Sequence, residues 1–263
     1  MNLTQFKKRT YTPTPTPIQP LTKLKQALGS SCPNIYIKRD DLLGLTGGGN
    51  KTRKLEFLVG DALDKGADTL ITCGAIQSNH CRLTLSAAVH EGLKCRIVLQ
   101  ERVPNTYNED ASGNNFLYHL LGVEKYKVVK GDADLQAEME AVQAELAAEG
   151  RKGYIIPGGG SNEIGATGYV AGVQEVLSQI LEQGLNLDHI VLTSGSSGTH
   201  AGVVTGLFGT NTDIPVTGIS VMRPKDEQEE IVHQLALKTA DRIGLHHQPP
   251  KSLIKVIDDY IRS

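Results

Sequence analysis

Residues 68–100, "DTLITCGAIQSNHCRLTLSAAVHEGLKCRIVLQ", carry the pattern that decides the fold. "DTLITCG" is an apolar run with a β-branched centre, which predicts a buried strand. A polar loop, "AIQSNH", follows. "CRLTLSAAVHEG" then reads as a helix and "KCRIVLQ" as a second buried strand. A strand, a crossover helix and a strand in so short a span predict a right-handed βαβ unit with parallel strands.

The same alternation extends in both directions. Upstream, "YTPTPTPIQP" predicts an extended lead-in, because each proline biases its predecessor away from helix. "NIYIKRDD" predicts a short strand. "TRKLEFLVGDALDKG" spaces Leu55, Leu58, Val59 and Ala62 as a helix face that stops at Gly66. Downstream, "NNFLYHLLG", "DLQAEMEAVQAELAAEG", "YVAGVQEVLSQILEQG", "THAGVVTGLFG" and 227–243 predict helices. "KYKVV", "GYIIP", "DHIVLTSG", "IPVTGISV" and "SLIKVI" predict strands, and "GGGSNEIGATG" predicts a glycine loop. The fold class is α/β with mostly parallel sheets, and ligands are expected outside the carboxyl ends of the strands. No linker or internal repeat divides the chain, so any two domains must be tightly apposed.

Composition narrows the function. The 263 residues carry 27 basic and 29 acidic side chains, a formal charge of -2. With no basic block, neither nucleic acid nor a membrane surface is expected as a partner. Four cysteines without a CxxC pair favour reduced thiols and a cytoplasmic setting. Eight scattered histidines show no metal-ligand spacing, so no zinc site is expected.

Three loops stand where the strand-end rule places ligands: "TGGGNK", "GAIQSNH" and "TSGSSGTHAG". In the third, Gly195, Ser196, Ser197, Gly198 and Thr199 open a helix. Backbone N–H groups and small hydroxyls there suit a phosphate or carboxylate, and a plain turn capped by Thr199 is the alternative. In the second, Ser78 and Asn79 either cap the next helix or bind a carboxylate or a ring substituent. In the first, Asn50 separates Gly49 from Lys51, which breaks a nucleotide P-loop. A lysine at a helix start has its ammonium disfavoured by the dipole and by burial, which suits Schiff-base chemistry. A phosphate loop, a carboxylate loop and such a lysine together describe a pyridoxal-phosphate site.

"IKRDDLLGLTGGGNKTRKLEFL", "GADTLITCGAIQSNHCRLT", "IIPGGGSN" and "SGSSGTHAG", in this order, resemble the D-cysteine desulfhydrase family of fold-type-II pyridoxal-phosphate enzymes. Near relatives of that family are 1-aminocyclopropane-1-carboxylate deaminase and L-cysteate sulfo-lyase. The resemblance implies two three-layer α/β/α domains. Residues 51–160 would form a small domain against a large one built from 1–50 and 161–263. It implies that Lys51 carries pyridoxal 5'-phosphate, that Asn50 positions Lys51, and that Asn79 bonds the cofactor's ring hydroxyl. Gly195 to Thr199 would hold the phosphate. Ser78 would bind the substrate carboxylate with the N–H groups from Gln77 to His80 and assist proton transfer.

The implied reaction is α,β-elimination on a small amino acid by a homodimer. D-cysteine would give pyruvate, sulfide and ammonia; L-cysteate would give sulfite instead, and a cyclopropane substrate would be opened to 2-oxobutanoate. The resemblance also implies that the segment matching "VIDDY" continues into a "GPGYG"-like loop bearing two active-site tyrosines, whereas here "IRS" follows. An inactive fragment is the corresponding expectation of another class.

Overall fold

A computed structural model describes residues 1–261. The chain runs β1 (Ile18–Pro20), α1 (Thr22–Leu28), β2 (Tyr36–Lys38), α2 (Lys51–Asp64), β3 (Thr69–Ala75), α3 (Asn79–His90), β4 (Lys94–Glu101) and α4 (Asn114–Leu120). It continues with β5 (Lys125–Lys130), α5 (Leu135–Ala148), β6 (Gly153–Ile156), α6 (Glu163–Gln183), β7 (Ile190–Ser194), α7 (Gly198–Gly209), β8 (Val216–Ser220), α8 (Lys225–Arg242) and β9 (Lys255–Ile257). No helix among the described residues is long and apolar enough to cross a membrane.

The βαβ unit read from residues 68–100 is present as β3–α3–β4, paired in parallel from Thr69 with Lys94 to Ala75 with Gln100. It forms the centre of a parallel four-stranded sheet ordered β5-β4-β3-β6. Because side chains alternate along a strand, Leu70, Ile97 and Leu99 pack with α2 and α3 on one face. Ile71, Cys73 and Val98 pack against Met139 and Leu146 of α5 on the other. That sheet is therefore buried on both sides, which is why its strands read as continuous apolar runs.

A second parallel sheet, β7-β8-β9, lays Ile190, Leu192, Val216 and Val256 against α6, α7 and α8. On its opposite face Val191 is 65% exposed and Ile257 39% exposed. β1 and β2 form an antiparallel pair, so the lead-in ends in a strand. The helix α1 between them has no buried residue; Leu21, Leu24 and Leu28 stand at helical spacing, but Leu24 and Leu28 stay exposed.

One expectation is corrected. The stretch "NEIGATG" is not loop: α6 begins at Glu163, with Asn162 as its cap accepting from the Gly165 N–H. Its glycines serve close packing. A Cβ on Gly165 would lie 2.0 Å from the Gly160 carbonyl oxygen, and one on Gly168 2.1 Å from that of Arg53 in α2. Neither backbone can move aside as a flexible side chain could. Gly168→Ala is expected to wedge α2 from α6 at a cost of about 1–3 kcal/mol; an unchanged urea midpoint would refute the close-packing role.

α2 is also tied down by charge. Arg53, 7% exposed, donates to both oxygens of Asp40 at 2.8 and 3.0 Å and to both of Glu175 at 2.9 Å. Lys38 pairs with Glu175, and the Tyr169 hydroxyl donates to Asp40 at 2.8 Å. This network fixes the lead-in, α2 and α6 to one another, two residues from Lys51.

Candidate active site

The carboxyl ends of β3 and β7 open into one cavity of about 840 Å³. Asn50 and Lys51 reach it from the start of α2, Ser78, Asn79 and His80 from the start of α3, Gly195, Ser196 and Ser197 from the loop before α7, and Thr199 from its first turn. Two of the expected residues do not line it. The Gln77 side chain turns to α4, where its Oε1 accepts from the Asn114 N–H at 2.8 Å and its Nε2 donates to Ser112. The Gly198 N–H is engaged by Ser196 O and by Ser161 Oγ.

Lys51 is mostly withdrawn from solvent. Burial lowers its pKa, and no acidic neighbour offsets the effect. More of it is therefore free amine near neutral pH than in an exposed lysine. Asn50 Nδ2 donates to Thr199 Oγ1 at 3.0 Å, linking the start of α2 to the start of α7.

Ser78 caps α3, its Oγ accepting from the Cys81 N–H at 3.2 Å, so capping and facing the cavity are not alternatives. An acceptor lone pair is thereby used, while the hydroxyl proton stays free to donate. Gly74 makes this possible, since a Cβ there would stand 2.5 Å from Ser78 Oγ.

The loop before α7 is strained. Ser197 has φ of 69° although it is not glycine, and it, not Thr199, occupies the position before the helix. A non-glycine residue held in this region costs of order 1–3 kcal/mol and is characteristic of ligand clamps.

Lys54 was not singled out by the sequence, although its spacing with Leu55 and Leu58 on the buried stripe is an available signal. It is 1% exposed, and its Nζ donates to Gly159 O at 3.0 Å and to Ser161 Oγ at 3.4 Å. Burial, with the nearby charge of Lys51, pushes its pKa well down. No carboxylate pairs with it among the described residues. Its Nζ lies 2.8 Å from where a Gly198 Cβ would stand, against the positive end of α7. This amine and the N-terminus of α7 stand side by side, and both favour an anion nearby.

Two buried histidines complete the wall. Thr72 Oγ1 donates its one proton to Ile156 O, so the 2.8 Å contact with His80 is donated by His80 Nε2–H. His80 Nδ1 is left as a buried acceptor without a partner, and burial lowers the ring's pKa to about 3. His200 is fully buried, with Nδ1 against Ser194 Oγ at 3.1 Å and Nε2 unpartnered. Burial lowers its pKa to about 4. Both rings are neutral at physiological pH.

The cavity thus brings a lysine amine and a Ser/Gly loop at a helix start together at two strand ends. The family model described as "Pyridoxal-phosphate dependent enzyme" matches residues 9–263. The chain belongs to the pyridoxal-phosphate dependent enzymes. It is 40% identical over 245 residues to D-cysteine desulfhydrase of Salmonella typhimurium, covering 93% of this chain and 73% of that protein. It is 41% identical over 246 residues to a Pyrococcus abyssi protein named "Putative 1-aminocyclopropane-1-carboxylate deaminase", covering 93% of this chain and 72% of that one. A solved structure of an ACC deaminase homologue superposes with a TM-score of 0.84 at 38% identity, over 97% of this chain and 74% of that one.

The chain is thus a fold-type-II pyridoxal-phosphate enzyme of the lyase branch that holds D-cysteine desulfhydrase and ACC deaminase. The residues present fit the cofactor: Lys51, whose free amine is favoured by burial with no acidic neighbour to offset it, shares one cavity with the Ser/Gly loop that opens α7.

Proposed function

We propose that the chain eliminates the β-substituent of D-cysteine, releasing pyruvate, sulfide and ammonia. The observation that carries this reading is Lys51, a partly desolvated amine in the same cavity as the Ser78–Asn79 turn and the Gly195–Thr199 loop. The similarity to D-cysteine desulfhydrase supports the choice of substrate.

In this reading Lys54 and the start of α7, with the hydroxyls of Ser196, Ser197 and Thr199, hold the cofactor's phosphate. Lys51 holds the cofactor covalently. The bound cofactor supplies an electron sink that weakens the substrate's Cα–H bond. Lys51 Nζ would be released when the substrate's amine takes its place and, favoured as the free amine by burial, would then take that proton. Ser78 Oγ–H and the N–H groups of Asn79 and His80, unpaired at the start of α3, receive the substrate carboxylate. With His80 and His200 neutral, the positive potential for these anions comes from the helix N-termini and the lysines. Asn50 steadies Lys51 through Thr199. The division into domains at 51 and 160, assembly as a homodimer and a cytoplasmic setting belong to the same proposal; four free cysteines support the last.

A second reading, opening of 1-aminocyclopropane-1-carboxylate to 2-oxobutanoate, is favoured by the similarity to proteins bearing that name. The test is a substrate panel on the purified, cofactor-loaded chain. D-cysteine, L-cysteate and 1-aminocyclopropane-1-carboxylate are compared by kcat/KM, with the oxo-acid product identified. Pyruvate and sulfide formed fastest from D-cysteine supports the first reading. 2-Oxobutanoate as the main product replaces it with the second, and sulfite from L-cysteate removes both.

A further inference from the structure

Asn79 faces the cavity as an exposed residue, and which end of its amide points inward decides what it offers a ligand. Its Oδ1 is engaged by Asn114 Nδ2 at 2.8 Å. Two further contacts fix the orientation of Asn114 itself. Arg82 Nη1 donates to Asn114 Oδ1 at 3.0 Å, and a guanidinium has no acceptor. Asn114 Nδ2 also donates to the Gln77 carbonyl at 2.8 Å, and a carbonyl oxygen has no donor. The chain of bonds therefore runs one way, from Arg82 through Asn114 to Asn79 Oδ1. Asn79 Nδ2 remains as an unpaired donor.

The other arm of Arg82 reaches the loop that precedes Lys51. Its Nη2 donates to the Gly48 carbonyl at 3.1 Å, and its guanidinium lies 3.1 Å from where a Gly47 Cβ would stand. Gly47 and Gly48 both have positive φ, 72° and 62°. Gly48 also passes so close to Asp41 that a Cβ would sit 2.0 Å from its carbonyl oxygen. No carboxylate pairs with Arg82 among the described residues, so both its arms serve neutral oxygens.

We infer that Arg82 and Asn114 are positioning residues. They hold the Asn79 amide with its NH₂ toward the cofactor's ring oxygen and bind the glycine loop before Lys51 into the same frame. This rests on the proposal that Asn79 meets the ring hydroxyl. A donor at that oxygen favours its anionic form. With the relay broken, the amide is free to turn and present a carbonyl instead.

Asn114→Asp tests the direction of the relay. The aspartate still accepts from Arg82 but cannot donate to Gln77 or Asn79, so Asn79 must turn its NH₂ to the aspartate and its Oδ1 to the cavity. The readout is the pH midpoint of the visible absorption band of lysine-bound pyridoxal phosphate. Deprived of its donor, the ring oxygen attracts protons more strongly. The midpoint should rise by roughly one to two pH units, the worth of one hydrogen bond to a charged oxygen. kcat/KM should fall roughly 10–100-fold, as for other outer-sphere partners of a site.

In an Asn79→Ala background Asn114→Asp should not move the midpoint further, because the two act in series. Arg82→Gln, a second variant should Asn114→Asp fail to fold, is expected to shift the midpoint in the same direction. An unmoved midpoint in a folded variant, or additive shifts in the double variant, overturns the relay while leaving the cofactor reading intact. Failure of the unsubstituted protein to form the band overturns both.

Discussion

Lys51→Ala is expected to abolish the borohydride-stable attachment of pyridoxal phosphate and to lower oxo-acid release by at least about 10²–10⁴-fold, the loss of a positioned base alone. Loss of the covalent tether adds to it. The fold should survive, because Lys51 stands in the first turn of α2, where its side chain faces the cavity and belongs to no ion pair. Peptide mapping after borohydride reduction identifies the attachment point. Label on another lysine, or undiminished label in the variant, would remove Lys51 from the role. Lys54 is the informative neighbour: three residues on from Lys51, it is 1% exposed and engaged with Gly159 and Ser161.

Arg53→Met should be the most damaging change to stability. The substitution keeps much of the side chain's length but leaves Asp40 and Glu175 facing each other with Lys38 as the remaining cation of the network. Removing one partner of a buried ion network typically costs 3–5 kcal/mol, and about that loss is expected from urea unfolding. A loss under about 1 kcal/mol would mean that water reaches the network and screens it.

The network also gives acid sensitivity a definite sign. Burial by itself raises the Glu175 pKa, but bonds from Arg53 and Lys38 outweigh it and hold the value at about 2, against 4.5 for the free side chain. A depressed carboxylate pKa contributes stability that is complete above about 4.5 and is lost as pH falls through about 2. Urea midpoints should therefore fall across that window. In Glu175→Gln the fall should be shallower, on a lower plateau.

Much of the architecture was legible in the chain because buried parallel strands and amphipathic helices leave strong local patterns. The β3–α3–β4 unit reads directly from residues 68–100. α1 carries only a short stripe, Leu21, Leu24 and Leu28, and has no buried residue. The start of α6 is hidden in the sequence because glycine normally signals a loop, while in "NEIGATG" it signals contact between helices. The same residue type answers two different physical demands, and the neighbour that distinguishes them, the Arg53 carbonyl, is remote in sequence.

The candidate site divides in the same way. Local sequence determined that Lys51 stands at a helix start, that Ser78 can cap a helix, and that a Ser/Gly loop precedes another. Each follows from the preferences of a few adjacent residues. Tertiary structure alone decided that Lys54 is an unpaired amine against α7, that His80 and His200 are neutral, and that Arg82 and Asn114 set the Asn79 amide. Those properties depend on desolvation and on hydrogen bonds between residues far apart in the chain, and no local pattern encodes what a side chain will meet across a cavity.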